Sequence, residues 1–193
     1  MKIKIILESC YSKGWPKVEI KINDSILYDD ICKPEEKYFI LEKDIELEYT
    51  NNSLQITHYG KLGNDSITDA EGNIIKDKAI ILKSVSFDNY NIPEVILYQQ
   101  KFYPNWEGQP EFITNNLYFG FNGTYELKFE KNIKKWYYNL LLEKERLANI
   151  NNKKEIVLPN GTVVESFEFT GRYINANNDA GITIDELYDM INK

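Results

Sequence analysis

Much of the usual chemical equipment is scarce in this sequence. Its 193 residues hold one histidine, His58, and two cysteines, Cys10 and Cys32. Structural zinc sites draw four ligands mostly from Cys and His, so this supply excludes that class. The two cysteines read as reduced thiols. Arginine occurs only as Arg146 and Arg172, which leaves little for bidentate recognition of phosphate or carboxylate. Lys and Arg total 23 against 30 Asp and Glu, giving a formal net charge of -7. That balance argues against a phosphate-backbone partner, and no nucleic acid is expected. No apolar run approaches the roughly 20 residues of a membrane span. The opening "MKIKIILESC" alternates where a signal peptide would be continuously apolar, so neither a membrane span nor a secretion signal is expected. Patterns such as GxSxG, HExxH and the P-loop are absent.

Alternation is plentiful. "KIKIIL", "KVEIKI", "DIELEY" and "SLQITHY" each switch between apolar and polar side chains, the period of half-buried antiparallel strands. Gly14-Trp15-Pro16, Asn23-Asp24, Lys33-Pro34 and Asn51-Asn52 read as turns between them. The longer run "AIILKSVSFDNYNI" turns Ile80, Leu82, Val85 and Phe87 inward if a bulge near Ser84 keeps the face consistent. His58 falls within such a strand and reads as a structural imidazole. The expected class is mostly β: an antiparallel β-sandwich with an aromatic hairpin segment, one amphipathic helix and a short C-terminal helix.

Aromatic residues crowd the middle of the chain. In "NLYFGFNGTYELKFE" the Asn122-Gly123 pair, flanked by alternating segments, predicts a two-residue type I′ hairpin turn. "KNIKKWYYNLLLEKERLANI" follows as the amphipathic helix, with Ile133, Trp136, Tyr137, Leu140, Leu141 and Leu147 on one face. The tail holds a strand pair turning at Asn160-Gly161. A final helix with a capping box of Thr183 and Glu186 closes it. Three parts are expected: a sandwich module over 1–95, the aromatic hairpin with the helix packed on it over 96–150, and a small docking arm over 151–193.

Two sets of side chains offer themselves for binding. Rigid rings with amides at their edge suit stacking on a sugar or burial against a partner: Trp15, Tyr103, Trp106 and Tyr118, with Gln109 and Asn115 beside them. Phe119, Phe121 and Phe129 have no polar handle and are expected in the core or an interface. The stretch "GKLGNDSITDAEGNIIKDKAI" is dense in hard oxygen ligands of the kind calcium takes. The plainer reading, and the preferred one, is a metal-free hairpin tip, "DAEGN", between two short strands.

The order "GWPKVEIKIND", "LQITHYGK" with its following Asn and Asp residues, then "KAIILKSVSFDNYNI", resembles the calcium-dependent xylan-binding modules over residues 1 to 92. Those are jelly-roll-like carbohydrate-binding sandwiches. The resemblance implies calcium held by Asn64, Asp65, Asp69 and Asp77. The segment "FYPNW", "GQPEFITNNLYFGFNGTYELKFE" resembles β-rich proteins of T4-like tailed phages of marine cyanobacteria. That likeness implies a virion location, with a cytoplasmic one otherwise, and transfers no catalytic residue.

The leading expectation is therefore a non-catalytic structural or adaptor protein of a phage particle, partnered by itself or by other virion proteins. A calcium-assisted glycan-binding module for host attachment is the alternative. A carbohydrate-active hydrolase is the third reading. It needs only two carboxylates roughly 5 to 9.5 Å apart, and Glu107 and Glu111 flank the aromatic loop.

Overall fold

A computed structural model of the chain describes residues 1–151, 154–157, 163–166, 172–175 and 178–183, with side-chain surroundings through Glu143. The chain divides into two units, Met1–Lys131 and Asn132–Lys193, each taken here by itself.

In the first unit the strands are β1 (Lys2–Cys10), β2 (Lys17–Ile22), β3 (Ser25–Ile31), β4 (Phe39–Asp44), β5 (Asn51–Tyr59), β6 (Ile67–Thr68), β7 (Ile74–Lys76), β8 (Ala79–Phe87), β9 (Tyr90–Asn91), β10 (Lys101–Pro104), β11 (Tyr118–Phe119) and β12 (Gly123–Glu130). A short helix, α1 (Glu94–Gln99), precedes β10. One antiparallel sheet runs β11-β8-β1-β4, with β9 also on β8; the other runs β10-β12-β5-β2-β3, and β6 pairs with β7 alone. Alternate residues of each sheet point inward. Ile3, Ile5 and Leu7 of β1 are fully buried, as are Val18 and Ile20 of β2 and Leu54 and Ile56 of β5. Each such aliphatic side chain contributes about 1.5–3 kcal/mol by leaving water. Rings cross the gap between the sheets, Phe87 to Phe129 at 4.4 Å and Phe102 to Phe119 at 4.9 Å. This is the mostly β antiparallel sandwich that the alternation predicts.

Ile80, Leu82, Val85 and Phe87 all face inward. The register between β1 and β8 slips between Ile6 and Leu7, leaving Lys83 as the extra residue beside Ser84, and this bulge returns both halves of β8 to the core. Cys10 and Cys32 are free thiols. Cys32 is buried and accepts a hydrogen bond from Ser9 Oγ at 3.1 Å.

Four local readings change. "DIELEY" is not a strand; the edge strand β4 lies earlier and ends at Asp44, where its partner β1 begins at Lys2. Asn51-Asn52 opens β5 instead of turning, because the buried Asn52 side chain ties Tyr49 O to the Asn23 amide. The short helix α1 after Pro93 had no counterpart among the expected elements. The Asn122-Gly123 pair makes no hairpin: β11 pairs with β8, whereas β12 pairs with β10 and β5. Neither residue takes the positive φ that a type I′ turn requires. The chain passes there from one sheet to the other.

The second unit holds the expected long helix, α2 (Ile133–Asn151), on which Ile133 and Trp136 are buried. The expected strand pair follows as β13 (Lys154–Val157) and β14 (Val163–Ser166); a further pair, β15 (Arg172–Asn175) and β16 (Asn178–Thr183), was not anticipated. The Asn160-Gly161 turn and the C-terminal helix with Glu186 lie outside the described residues.

Candidate functional site

Strand β10 forms an edge of the second sheet, and the loop that leaves it folds back so that Ile113 bridges Phe102. Because side chains alternate, burying Phe102 turns Lys101 and Tyr103 outward and lays Phe112 beside them. The Tyr103 and Phe112 rings meet edge to face at 6.3 Å, and Lys101 Nζ stands 3.9 Å over Phe112. Farther along, Trp106 packs against Phe121 at 4.3 Å with the ring planes at 82°. Trp106, Phe112 and Phe121 keep 39%, 38% and 43% of their surface exposed. The result is a rim of four rings at one end of a sheet.

From this rim the sheet presents a polar outer face. Its register lines up Tyr103, Thr124, Thr57, Glu19 and Asp29 in one row, and Lys101, Glu126, Gln55 and Lys21 in the next. The Thr57 and Thr124 hydroxyls are 3.0 Å apart, and Ser53 Oγ donates to Glu126 at 2.8 Å. The arrangement is a face of donors and acceptors with the Tyr103–Phe112 pair at its β10 edge.

The rim is held in place by the segment crossing between the sheets. Asn122 uses its amide as a strand would use its backbone, accepting from Lys61 N at 2.9 Å and donating to Lys61 O at 2.8 Å. His58, fully buried on β5, sits 2.9 Å from the Phe121 carbonyl. A carbonyl only accepts, so Nδ1 carries the proton and donates. Among the described residues Nε2 then has no hydrogen-bond partner. Burial holds this imidazole below its ordinary pKa, with the Phe121 carbonyl opposing.

The four suggested calcium ligands go elsewhere. Asp77 is nearly buried. Its Oδ1 accepts from Lys61 Nζ, from Ser66 Oγ at 2.6 Å and from Lys78 N at 2.9 Å, and its Oδ2 from the Tyr118 hydroxyl at 2.5 Å. Burial alone would raise this carboxyl, but Lys61, Ser66 and Tyr118 together hold it below the usual range. Asp65 Oδ2 accepts from Leu62 N and from Lys78 Nζ; Asp69 closes its own turn on Glu71 and Asn73; the Asn64 carbonyl takes Lys13 Nζ. Among the described residues no three His, Cys, Asp or Glu side chains gather as a metal ion would need. In this arrangement the four residues do not fit calcium.

Of the suggested ligand-contact residues, the loop brings Tyr103 and Trp106 into the rim. Trp15 packs on Tyr11 at 5.0 Å in a different loop. Tyr118 exposes part of its ring but commits its hydroxyl to Asp77, and burial followed by that carboxylate raises its pKa. Gln109 is exposed on the loop, and Asn115 takes a left-handed φ of 56° while its N–H bonds Tyr98 O. Phe119 and Phe129 are buried as expected, whereas Phe121 is exposed. Sequence reasoning missed Phe112, and of the two places expected for Phe121 the core is the one it does not occupy. Gly120 was the available signal, since a Cβ there would lie 2.5 Å from the Tyr118 ring and the strand cannot run on regularly through it. Glu107 and Glu111 are both exposed. A separate cleft of about 370 Å³ is lined by Asp24, Asp44, Glu46, Glu48 and Tyr49.

No family model matches the chain, and no curated protein matches it in sequence. Two solved structures align with part of the chain. "vCBM60 in complex with galactobiose" aligns with TM-score 0.42 and 9% identity over 65% of this chain and 96% of its own. The selenomethionine form of vCBM60, described as bearing on a link by circular permutation between two families of calcium-dependent carbohydrate binding modules, aligns with TM-score 0.43 and 8% identity over 65% and 87%. At this identity and TM-score no residue here inherits a role from either.

Proposed function

We propose that the chain is a non-catalytic glycan-binding protein whose contact surface is the ring-bordered outer face of the second sheet. The observation that carries this reading is the rim itself: Tyr103, Trp106, Phe112 and Phe121 gathered in two edge-to-face pairs beside rows of hydroxyl, amide and carboxylate groups. One face of a pyranose is a patch of C–H groups that lies well on a ring, and its hydroxyls need donors and acceptors at the border. Thr124, Gln55 and Glu126 supply these. A phosphate-bearing ligand suits the surface poorly, given the net charge of -7.

The test is retention on a panel of immobilised neutral polysaccharides, comparing the native chain with Trp106→Ala and Tyr103→Ala. Retention by the native chain, weakened at least tenfold in each variant at unchanged melting temperature, is the expected outcome. A second reading, an adaptor docking on itself or on another particle protein, is favoured by Phe112 and Phe121, which offer no hydrogen bond to a sugar. It takes over if no glycan is retained and light scattering shows an assembly that Phe121→Ser dissociates.

A further inference from the structure

We infer that the Lys61 ammonium fills a cation position built into the fold, so that a tethered lysine does for the loop over 60–78 what a metal ion would otherwise do. The position is made of oxygens. Lys61 Nζ donates to Asp77 Oδ1 and to the carbonyl of Gly120, and the lysine and aspartate side chains are only 9% and 6% exposed. Lys78 makes the neighbouring pair with Asp65 at 3.0 Å, at 14% and 9% exposure. Two ammonium groups thus answer two carboxylates inside one loop.

Saturation of the oxygens is what keeps a metal out. An ionised carboxylate offers about four lone-pair sites. Asp77 receives four donors, from Lys61, Ser66, Lys78 and Tyr118. Three of them crowd Oδ1, so calcium, which takes six to eight oxygens at roughly 2.3–2.6 Å, would have to displace the Lys61 ammonium to reach that oxygen. The surroundings also aim the lysine. Asn122 grips both backbone groups of Lys61, fixing where its side chain departs. Gly120 lets its own carbonyl come close, because a Cβ there would sit 3.1 Å from Asp77 Oδ2 and 2.5 Å from the Tyr118 ring.

The charge is needed as well as the fit. Taking one partner from a buried ion pair leaves the other unpaired in a poor solvent, which is strongly destabilising, whereas an arginine keeps the charge and costs only its misfit. This inference does not depend on any glycan reading.

The native chain is heated with EDTA and with millimolar CaCl2, followed by Lys61→Met, Lys61→Arg and Lys61→Ala under the same conditions. The native melting temperature is expected to be indifferent to both additives. Lys61→Met should lower it by roughly 10 °C, and Lys61→Arg by much less. In Lys61→Ala the freed oxygens should accept an added cation, so that CaCl2 or ethylammonium raises a melting temperature that neither raises in the native chain. Should Lys61→Ala fail to fold, the native titration still decides. Stabilisation of the native chain by calcium overturns the inference, and so does a Lys61→Met variant as stable as the native protein.

Discussion

The single histidine makes one pH effect unusually clean to measure. His58 is fully buried, donates from Nδ1 to Phe121 O and, among the described residues, leaves Nε2 without a partner. A second proton would have to go on that buried nitrogen. Burial is the largest influence on the ring and lowers its pKa; Lys61 adds to this, while the Phe121 and Phe119 carbonyls and Asp77 oppose it. The folded pKa therefore lies below the unfolded value of about 6.5. Between the two, the unfolded chain binds a proton that the folded chain does not, so stability is complete above about pH 6.5 and falls as the medium is acidified. One proton corresponds to about 1.4 kcal/mol per pH unit at the full slope. Urea unfolding at intervals from about pH 7.5 to 5.5 reads the slope directly. His58→Asn keeps a donor for the Phe121 carbonyl, cannot charge, and should flatten the curve over that interval. Equal stability across the window in the native chain refutes the reasoning, and so does an unchanged slope in His58→Asn.

Two further outcomes follow from the packing. A Cβ on Gly123 would lie 2.5 Å from the Tyr103 carbonyl and 2.6 Å from Phe102 Cζ, and a paired backbone cannot retreat, so Gly123→Ala should cost about 1–3 kcal/mol. Gly63→Ala, with nothing within 4 Å, is its control in the same denaturation series and should leave the midpoint unchanged. Tyr125→Phe removes a buried bond of 3.0 Å to Leu97 O, but that carbonyl still accepts from Gln100 N. The loss should therefore stay near 0.5–1.5 kcal/mol by thermal unfolding, below what a fully orphaned group costs.

What could be read from the sequence follows from which strands are half-buried. β1, β2, β5 and β8 each turn one face to the core, so Ile3, Ile5 and Leu7, or Val18 and Ile20, announce themselves by period. β3 buries none of its side chains and carries no such signal. β4 has only Leu41 buried, and the stronger alternation just after it was misleading. The Asn-Gly pair at 122 showed a local preference that sheet pairing overrode, as β11 found its partner in β8. Within the candidate site, Tyr103 and Trp106 stood out as rings beside prolines. Phe112 and Phe121 did not, since their exposure depends on how the loop folds back. The acids of the 60–78 loop were conspicuous, but their lysine partners were not. The ammonium of Lys61 reaches Asp77, 16 residues away, and Gly120, 59 away, and only the folded chain brings these together.

The rim and the lysine cluster are two sides of one piece of backbone. Between β11 and β12 the chain has no ladder partner, and such a segment would ordinarily be loose. Here successive residues are each fastened by a polar contact: the Tyr118 hydroxyl to Asp77, the Gly120 carbonyl to Lys61, the Phe121 carbonyl to His58, and the Asn122 amide to both backbone groups of Lys61. Phe121 is thereby aimed outward at Trp106 with its backbone already fixed. A ring ordered before its ligand arrives spares the ordering entropy that binding would otherwise have to overcome. On the glycan-binding reading proposed above, loosening Lys61 or His58 should weaken ligand retention through Phe121, although neither side chain lies on the proposed contact face.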